Sequence, residues 1–367
     1  MDENKLETII ETEKQEQTSE TLENTVEKIE GEEKQEVTYK EMSPARLVFR
    51  RFFRSKLSLV GIIMIVFLFA FSFLGPVIYN KWDESEADYS GKVSVEEIDC
   101  SYTQYDPELG EEITIKSTMF VTVHSDLNSL AKPSKNHILG TDKNGYDIFV
   151  RLMYGGRISL TIGFIVVFLE TFLGVLIGGI SGYFGGWVDQ VIMRIVDIFN
   201  CIPTLPILLI ASAVIDSWNV AADQRIYLLM AIITLFGWSG TARLVRGQIL
   251  GLREQEYMTA TEVMGMPTWR RIFVHLLPNV MPQLIVSMTL GLGGVILYES
   301  TLSYLGLGVQ PPKAAWGTMI ATANDTEILT YFMNMWLPAG IMIVIAVLGF
   351  NFIGDGLRDA MDPKARK

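Results

Sequence analysis

Glu170 is the residue whose setting asks most directly for a chemical explanation. It stands alone in the apolar run Phe164 to Leu176. A carboxylate surrounded by hydrocarbon is costly, so it should face a wet transport pathway, a structural hydrogen bond or a partner subunit. The familiar catalytic patterns are missing. The sequence has no GxxxxGK[ST] phosphate-binding loop and no GxSxG nucleophile turn. His124, His137 and His275 are scattered, without metal-ligand spacing. Cys100, in a polar segment, and Cys201, in an apolar run, read as unpaired thiols. No catalytic residue, metal site or cofactor is therefore expected in this chain.

A second pattern lies in Arg253–Pro278, REQEYMTATEVMGMPTWRRIFVHLLP. Gln255 to Met264 reads as a short helix, closed by Gly265 in the left-handed position that glycine adopts readily. Pro267 suits the first turn of a second helix, and Leu276-Leu277-Pro278 leads into an apolar segment. A helix–Gly–helix of this kind has a good shape for docking into a partner's groove. Taken alone, Gly265 with Leu277-Pro278 also fits ordinary turn punctuation. Arg270 and Arg271 suit either ion pairs to a partner or lipid headgroups.

The elements that must carry these residues are membrane spans. The 367 residues hold 30 Lys+Arg against 42 Asp+Glu, a net charge of −12, and 49% are apolar. The charge is segregated. Residues 1–40 carry a net −8 and residues 80–140 a net −7, which leaves +3 on an apolar remainder. That pattern excludes an ordinary soluble globular protein. It also argues against nucleic-acid binding, since no long basic face exists to neutralise phosphates.

The first 40 residues are too rich in Glu, Lys, Gln and Thr to bury a core, so disorder is expected, with Leu22, Val26 and Ile29 as one face of a short helix at most. They lack the early apolar stretch of a secretion signal. From Met42 to Lys56 there are no acids, but Arg46, Arg50, Arg51, Arg54 and Lys56 are all basic. Leu57 to Ile78 then runs without a charge, long enough to cross a bilayer as a helix. Basic residues before the first span hold that end in the cytoplasm. Further spans are expected at about 158–182, 191–215, 226–245, 280–305 and 337–354. Six spans return the C-terminus to the cytoplasm. The arginines of 243–275 and the ending Lys364-Ala365-Arg366-Lys367 agree with that orientation.

The expected organisation is an acidic cytoplasmic tail (1–41), a basic approach with the first span (42–79), and an extracytoplasmic insert (80–146). A transmembrane core of spans two to six (147–356) follows, with a cytoplasmic segment at 253–278 and a C-terminal tail (357–367). In the insert, Ile113-Thr114-Ile115 and Met119 to Val123 alternate as short strands do, so a small folded unit is expected. Arg194 and Asp197 are spaced as a local helix pair, and the run Gly174, Gly178, Gly179 and Gly182 allows close helix packing. Glu299, toward the outer end of its span, reads as structural.

Against this background the Arg253–Pro278 segment resembles the EAA loop of ABC importer permeases, a pattern of E-A-A, three residues, G, nine residues and I-x-L-P. On that register the positions fall on Thr259, Ala260, Thr261, Gly265, His275, Leu277 and Pro278. Thr259, Thr261 and His275 depart from the pattern. Other segments are similar to the peptide/nickel branch of that family. They are Leu139-Gly140-Thr141-Asp142 through Leu160, with Tyr146 and Val150 departing, and Gly182 to Asp197. Glu299-Ser300-Thr301-Leu302-Ser303-Tyr304-Leu305-Gly306-Leu307-Gly308-Val309-Gln310-Pro311-Pro312, Trp316-Gly317 and Asn351 to Asp359 follow in the same order. The likeness spans about 42–79 and 137–365. The approach SPARLVFRRFFRSKLSLVG and the outer insert are most like C-type subunits of oligopeptide permeases.

The resemblance implies an all-α polytopic protein with the six-helix type I importer fold and a small insert between spans 1 and 2. It implies a non-catalytic multi-pass subunit of the cell membrane. Its partners would be a second homologous permease subunit, two ABC ATPases that bind ATP and Mg, an extracytoplasmic peptide-binding protein, the peptide substrate and the lipid bilayer. Tyr257, Thr259, Ala260, Thr261, Gly265, Arg270, Leu277 and Pro278 would couple to an ATPase; for Glu170 the readings stay open between a place on the translocation path and a structural hydrogen bond or partner-subunit contact. The alternatives are the same architecture carrying nickel or another small solute, or a membrane scaffold.

Overall fold

The computed structural model describes residues 44–90, 93–218 and 220–362. The acidic tail, with Leu22, Val26 and Ile29, and the basic ending Lys364–Lys367 lie outside the described residues. Residues 44–49 open the first helix, and Arg50 to Lys367 forms a separate unit, to which the remaining description belongs.

Helix α1 covers Pro44–Arg54. Ser55 then caps the next helical segment, its hydroxyl accepting from the Ser58 N–H at 3.4 Å. That segment, α2, spans Lys56–Ile78. Four more segments are long and apolar enough to cross a membrane. They are α3 (Ile148–Phe184), the Gln224–Arg253 stretch, Thr268–Tyr304 and Met333–Met361. Less than half of each apolar window is buried within the chain. Ile63 and Phe168 are both about 60% exposed. Long helices that present apolar side chains outward are suited to lipid.

The third expected span is not straight. It is a pair of helices, α4 (Gly186–Cys201) and α5 (Thr204–Ser217). The pair bends by 76° at the break, so the described residues hold five helices able to span a membrane, or six when the pair counts as one. The cause is local. Ile202 precedes Pro203 and is extended, at φ −76° and ψ 124°, because a proline ring disfavours the helical region for the residue before it.

The other spans are longer than their apolar runs suggest. Helix α6 covers Ala222–Arg253 and carries its basic end well past residue 245. A short helix α7 (Glu256–Val263) leads into the helical rod α8 (Thr268–Tyr304). Two short helices, α9 (Trp316–Ala321) and α10 (Thr326–Tyr331), precede the last span, α11 (Met333–Met361).

Packing around α3 follows its glycines. A Cβ on Gly178 would lie 2.3 Å from the Ala242 carbonyl oxygen, and one on Gly182 would lie 2.9 Å from that of Arg246. Glycine every fourth residue therefore lets α3 and α6 touch backbone to backbone. On its other side α3 meets α8 and α9 in the main core, where Leu160, Ile162, Ile296, Leu302 and Trp316 are fully buried. Glu299 is buried there as well. It accepts from the hydroxyls of Ser303 (2.6 Å) and Ser159 (3.1 Å), and Ser159 in turn accepts from the Trp316 N–H at 3.2 Å. Its neighbours match a structural role.

The insert differs in detail from the expected short strands. The alternating stretches belong to one long strand. Strands β1 (Val93–Asp106) and β2 (Glu111–Ser125) pair antiparallel, with Tyr102 opposite Ile115 and Asp106 opposite Glu111. The flanking loops are fastened by His137, whose ring meets Asp147 Oδ2 at 2.8 Å and Asp88 Oδ2 at 3.0 Å. Trp82 stacks on that ring at 4.7 Å. Asp147 also caps α3, accepting from the Val150 N–H at 2.9 Å.

Candidate functional site

The first candidate site is built on α7. Gly265 sits at φ +68°, where an L side chain is strained, and a Cβ there would meet nothing within 4 Å. The glycine answers a backbone need and not a lack of space. Its N–H donates to the Glu262 carbonyl at 2.9 Å, and the Met266 N–H donates to that of Thr261 at 3.1 Å. These paired bonds form a Schellman motif, which stops the helix and turns the chain sharply.

One face of α7 anchors it. Met258 and Thr261 are buried, and Met258 joins Val245, Ile249, Leu276, Val280 and Leu284 in a small core. The Thr261 hydroxyl donates to the Met258 carbonyl at 2.7 Å. The opposite face is open. Tyr257, Thr259, Ala260, Gly265, Arg270 and Pro278 are exposed, while Leu277 is half-buried. Val263 is 83% exposed and Met264 66%. Arg270 has no ion-pair partner among the described residues. Arg271 differs from the outward-facing role expected for it. It turns inward, 3.5 Å from Glu262, with its guanidinium over the Tyr183 ring at 5.6 Å.

The residues after Gly265 do not form an isolated second helix. They run straight into α8, with one wide π-helical turn at Arg271–Leu276. Pro278 supplies the reason, since its nitrogen has no hydrogen to donate to the preceding turn. The side chain of Asn279 also donates to the His275 carbonyl at 2.7 Å.

The same rod reaches the membrane candidate site. A cavity of about 410 Å³ opens where α3, α5, α6 and α8 converge, lined by Glu170, Phe236, Gly237, Gly291, Gly294 and Tyr298 among others. Gly291 lies 23 residues beyond Thr268, roughly 35 Å along a helix. Glu170 and the α7 segment are thus at two levels of one structure, joined by α8. Glu170 has no hydrogen-bond or ion-pair partner among the described residues.

Several polar contacts escaped sequence reasoning because they join distant elements. Asp189 is held by Arg246 at 2.5 and 2.9 Å and by Ser181 at 2.5 Å. Asp197 is closer to Arg243, at 2.7 Å, than to its expected partner Arg194, at 3.9 Å. Arg225 is buried, donating to Ser212 and to the Gly308 carbonyl. Only the lone arginine in an acidic loop hinted at that. At the outer fastening, burial pushes the Asp88 carboxyl up. Hydrogen bonds from Asn128, from the Ser90 N–H and hydroxyl, and from His137 outweigh this and hold it at about 2, below its ordinary 3.8.

A bundle of apolar spans with an exposed, glycine-terminated helix and an open cavity that holds one carboxylate marks a polytopic membrane transport component. Residues 174–367 match the binding-protein-dependent transport system inner membrane component, and residues 43–91 match the N-terminal TM domain of oligopeptide transport permease C. The chain belongs to this family of binding-protein-dependent permeases, and its fold is the type I ABC importer permease fold. It is 36% identical to an oligopeptide transport system permease protein of Bacillus subtilis, over 91% of this chain and 94% of that one. It is 33% identical to a dipeptide transport system permease of the same organism, over 87% and 85%. An oligopeptide permease of Haemophilus influenzae is 38% identical over 63% and 71%.

Proposed function

We propose that this chain is one of two permease subunits of an ATP-driven importer of oligopeptides. The observation that carries the reading is the exposed α7 helix, closed by the Gly265 Schellman turn and followed directly by the α8 rod that lines the cavity. The names of its relatives supply the peptide class. A second, homologous permease completes the pathway. Two cytoplasmic ATPases hold ATP and Mg, and an extracytoplasmic protein delivers the peptide. ATP hydrolysis belongs to those partners, and this chain contributes no catalytic group. Both termini are cytoplasmic.

Coupling then runs through named residues. Tyr257, Thr259, Ala260 and Gly265 present the docking face, with Arg270 beside it, and Met258 and Thr261 fix that face to the bundle. Leu277 and Pro278 carry the displacement into α8. A rigid shift of α7 therefore moves α8 and the cavity wall together, which is alternating access by rigid-body motion.

Uptake of a labelled pentapeptide and of nickel, side by side in cells with and without the gene, tests the reading. Loss of peptide uptake alone is the expected result. Loss of nickel uptake alone would move the chain to the metal branch, and no change in either would favour a scaffold role.

A further inference from the structure

The cavity around Glu170 has a composition that a passive water-filled path does not require. Its carboxylate is unpaired among the described residues, and the rest of the lining is apolar, aromatic or glycine apart from Thr204. The space it occupies is kept open by a particular residue. A Cβ on Gly237 would lie within 1.6 Å of Glu170 Oε1, so any other residue there would displace the carboxylate. Glu170 lies near the centre of the apolar stretch 158–182. An unpaired carboxylate at that depth is expensive unless a cation visits it.

The cation can be specified by chemistry. A carboxylate beside the rings of Phe236 and Tyr298 offers charge and π-faces together, the combination that suits an ammonium group. Peptides differ in every side chain, but an unmodified peptide always carries an α-ammonium. A single acid is thus able to engage any of them without reading sequence. At about 410 Å³ the cavity has the size of a small-ligand pocket and holds the end of a peptide, not its whole length.

We propose that Glu170, seated over Gly237, forms a binding site in the translocation path for the terminal ammonium of a passing peptide. This rests on the peptide-importer reading above.

The test uses the purified complex of both permeases and both ATPases, without the binding protein, so that the latter's own selectivity plays no part. Two probes are compared by thermal stabilisation: leucinamide, which carries the ammonium, and N-acetyl-leucinamide, which does not. The wild type should be stabilised by leucinamide and not by the acetylated probe. Glu170→Gln should weaken the apparent affinity for leucinamide about tenfold or more. Gly237→Ala, which keeps the charge but takes its seat, should do the same, and it decides the matter if the first variant fails to assemble. Equal binding of leucinamide by wild type and an assembled variant would overturn the proposal. So would equal binding of the two probes, or binding of neither by the wild type. Peptide uptake in cells is measured in parallel. Uptake without ammonium binding refutes this site alone, whereas no uptake refutes the importer reading itself.

Discussion

Gly265 gives the sharpest test of the proposed coupling site. Its φ of +68° lies where L residues pay a steric penalty of roughly 1–2 kcal/mol. A Cβ there would meet nothing within 4 Å, so the cost within this chain is conformational alone. A penalty of that size lowers the population of the turned form by about 5- to 30-fold. Substitutions should therefore rank by their tolerance of the left-handed region and not by size. Asn visits that region readily and Ala less so, while a β-branched Val is a genuine outlier. The assay is ATP-driven peptide uptake, normalised to assembled complex, for Gly265→Asn, Gly265→Ala and Gly265→Val. Asn should stay close to wild type, Ala should fall several-fold and Val should fall further. Three equal activities, or a ranking in which Asn is as poor as Val, would refute the backbone argument.

Other consequences follow from the packing and the outer network. Gly178→Ala brings a Cβ to 2.3 Å from the Ala242 carbonyl and should cost about 1–3 kcal/mol, read as a lower melting temperature of the purified complex. Gly179→Ala, one residue away with its nearest neighbour at 3.8 Å, should be neutral in the same measurement. Glu299→Ala strands the hydroxyls of Ser159 and Ser303 in the core, at about 1–3 kcal/mol for each unpaired group, and the loss should appear as reduced thermal stability. The Asp88 carboxyl is held at about 2, so its stabilisation is complete above its ordinary value near 4 and is lost as pH falls toward 2. Thermal unfolding between pH 5 and pH 3 should therefore weaken more in wild type than in Asp88→Asn.

What the sequence made legible was periodic or local. Charge segregation and uninterrupted apolar runs located the spans, and Gly265 with Pro267 located the turn after α7, because each signal lies within a few residues of its effect. The bend at Ile202 was visible as Pro203 and Pro206, yet proline inside a span is often tolerated, so sequence alone did not distinguish a kink from a break. Span ends were misjudged because α3, α6 and α8 continue as helices beyond the apolar core. The pairs Asp189–Arg246, Asp197–Arg243 and Asp88–His137–Asp147 join residues that only the fold brings together. Glu170 stood out in the sequence as an isolated charge, but its seat over Gly237 depends on the packing of α3 against α6.

The central claim is that the exposed face of α7 docks on an ATPase. A photo-cross-linking amino acid at Val263, 83% exposed at the tip of that helix, tests it in intact cells expressing the full transporter. A single adduct whose added mass is that of the ATPase subunit is the predicted result. Adducts to lipid alone, or to no protein at all, would contradict the account.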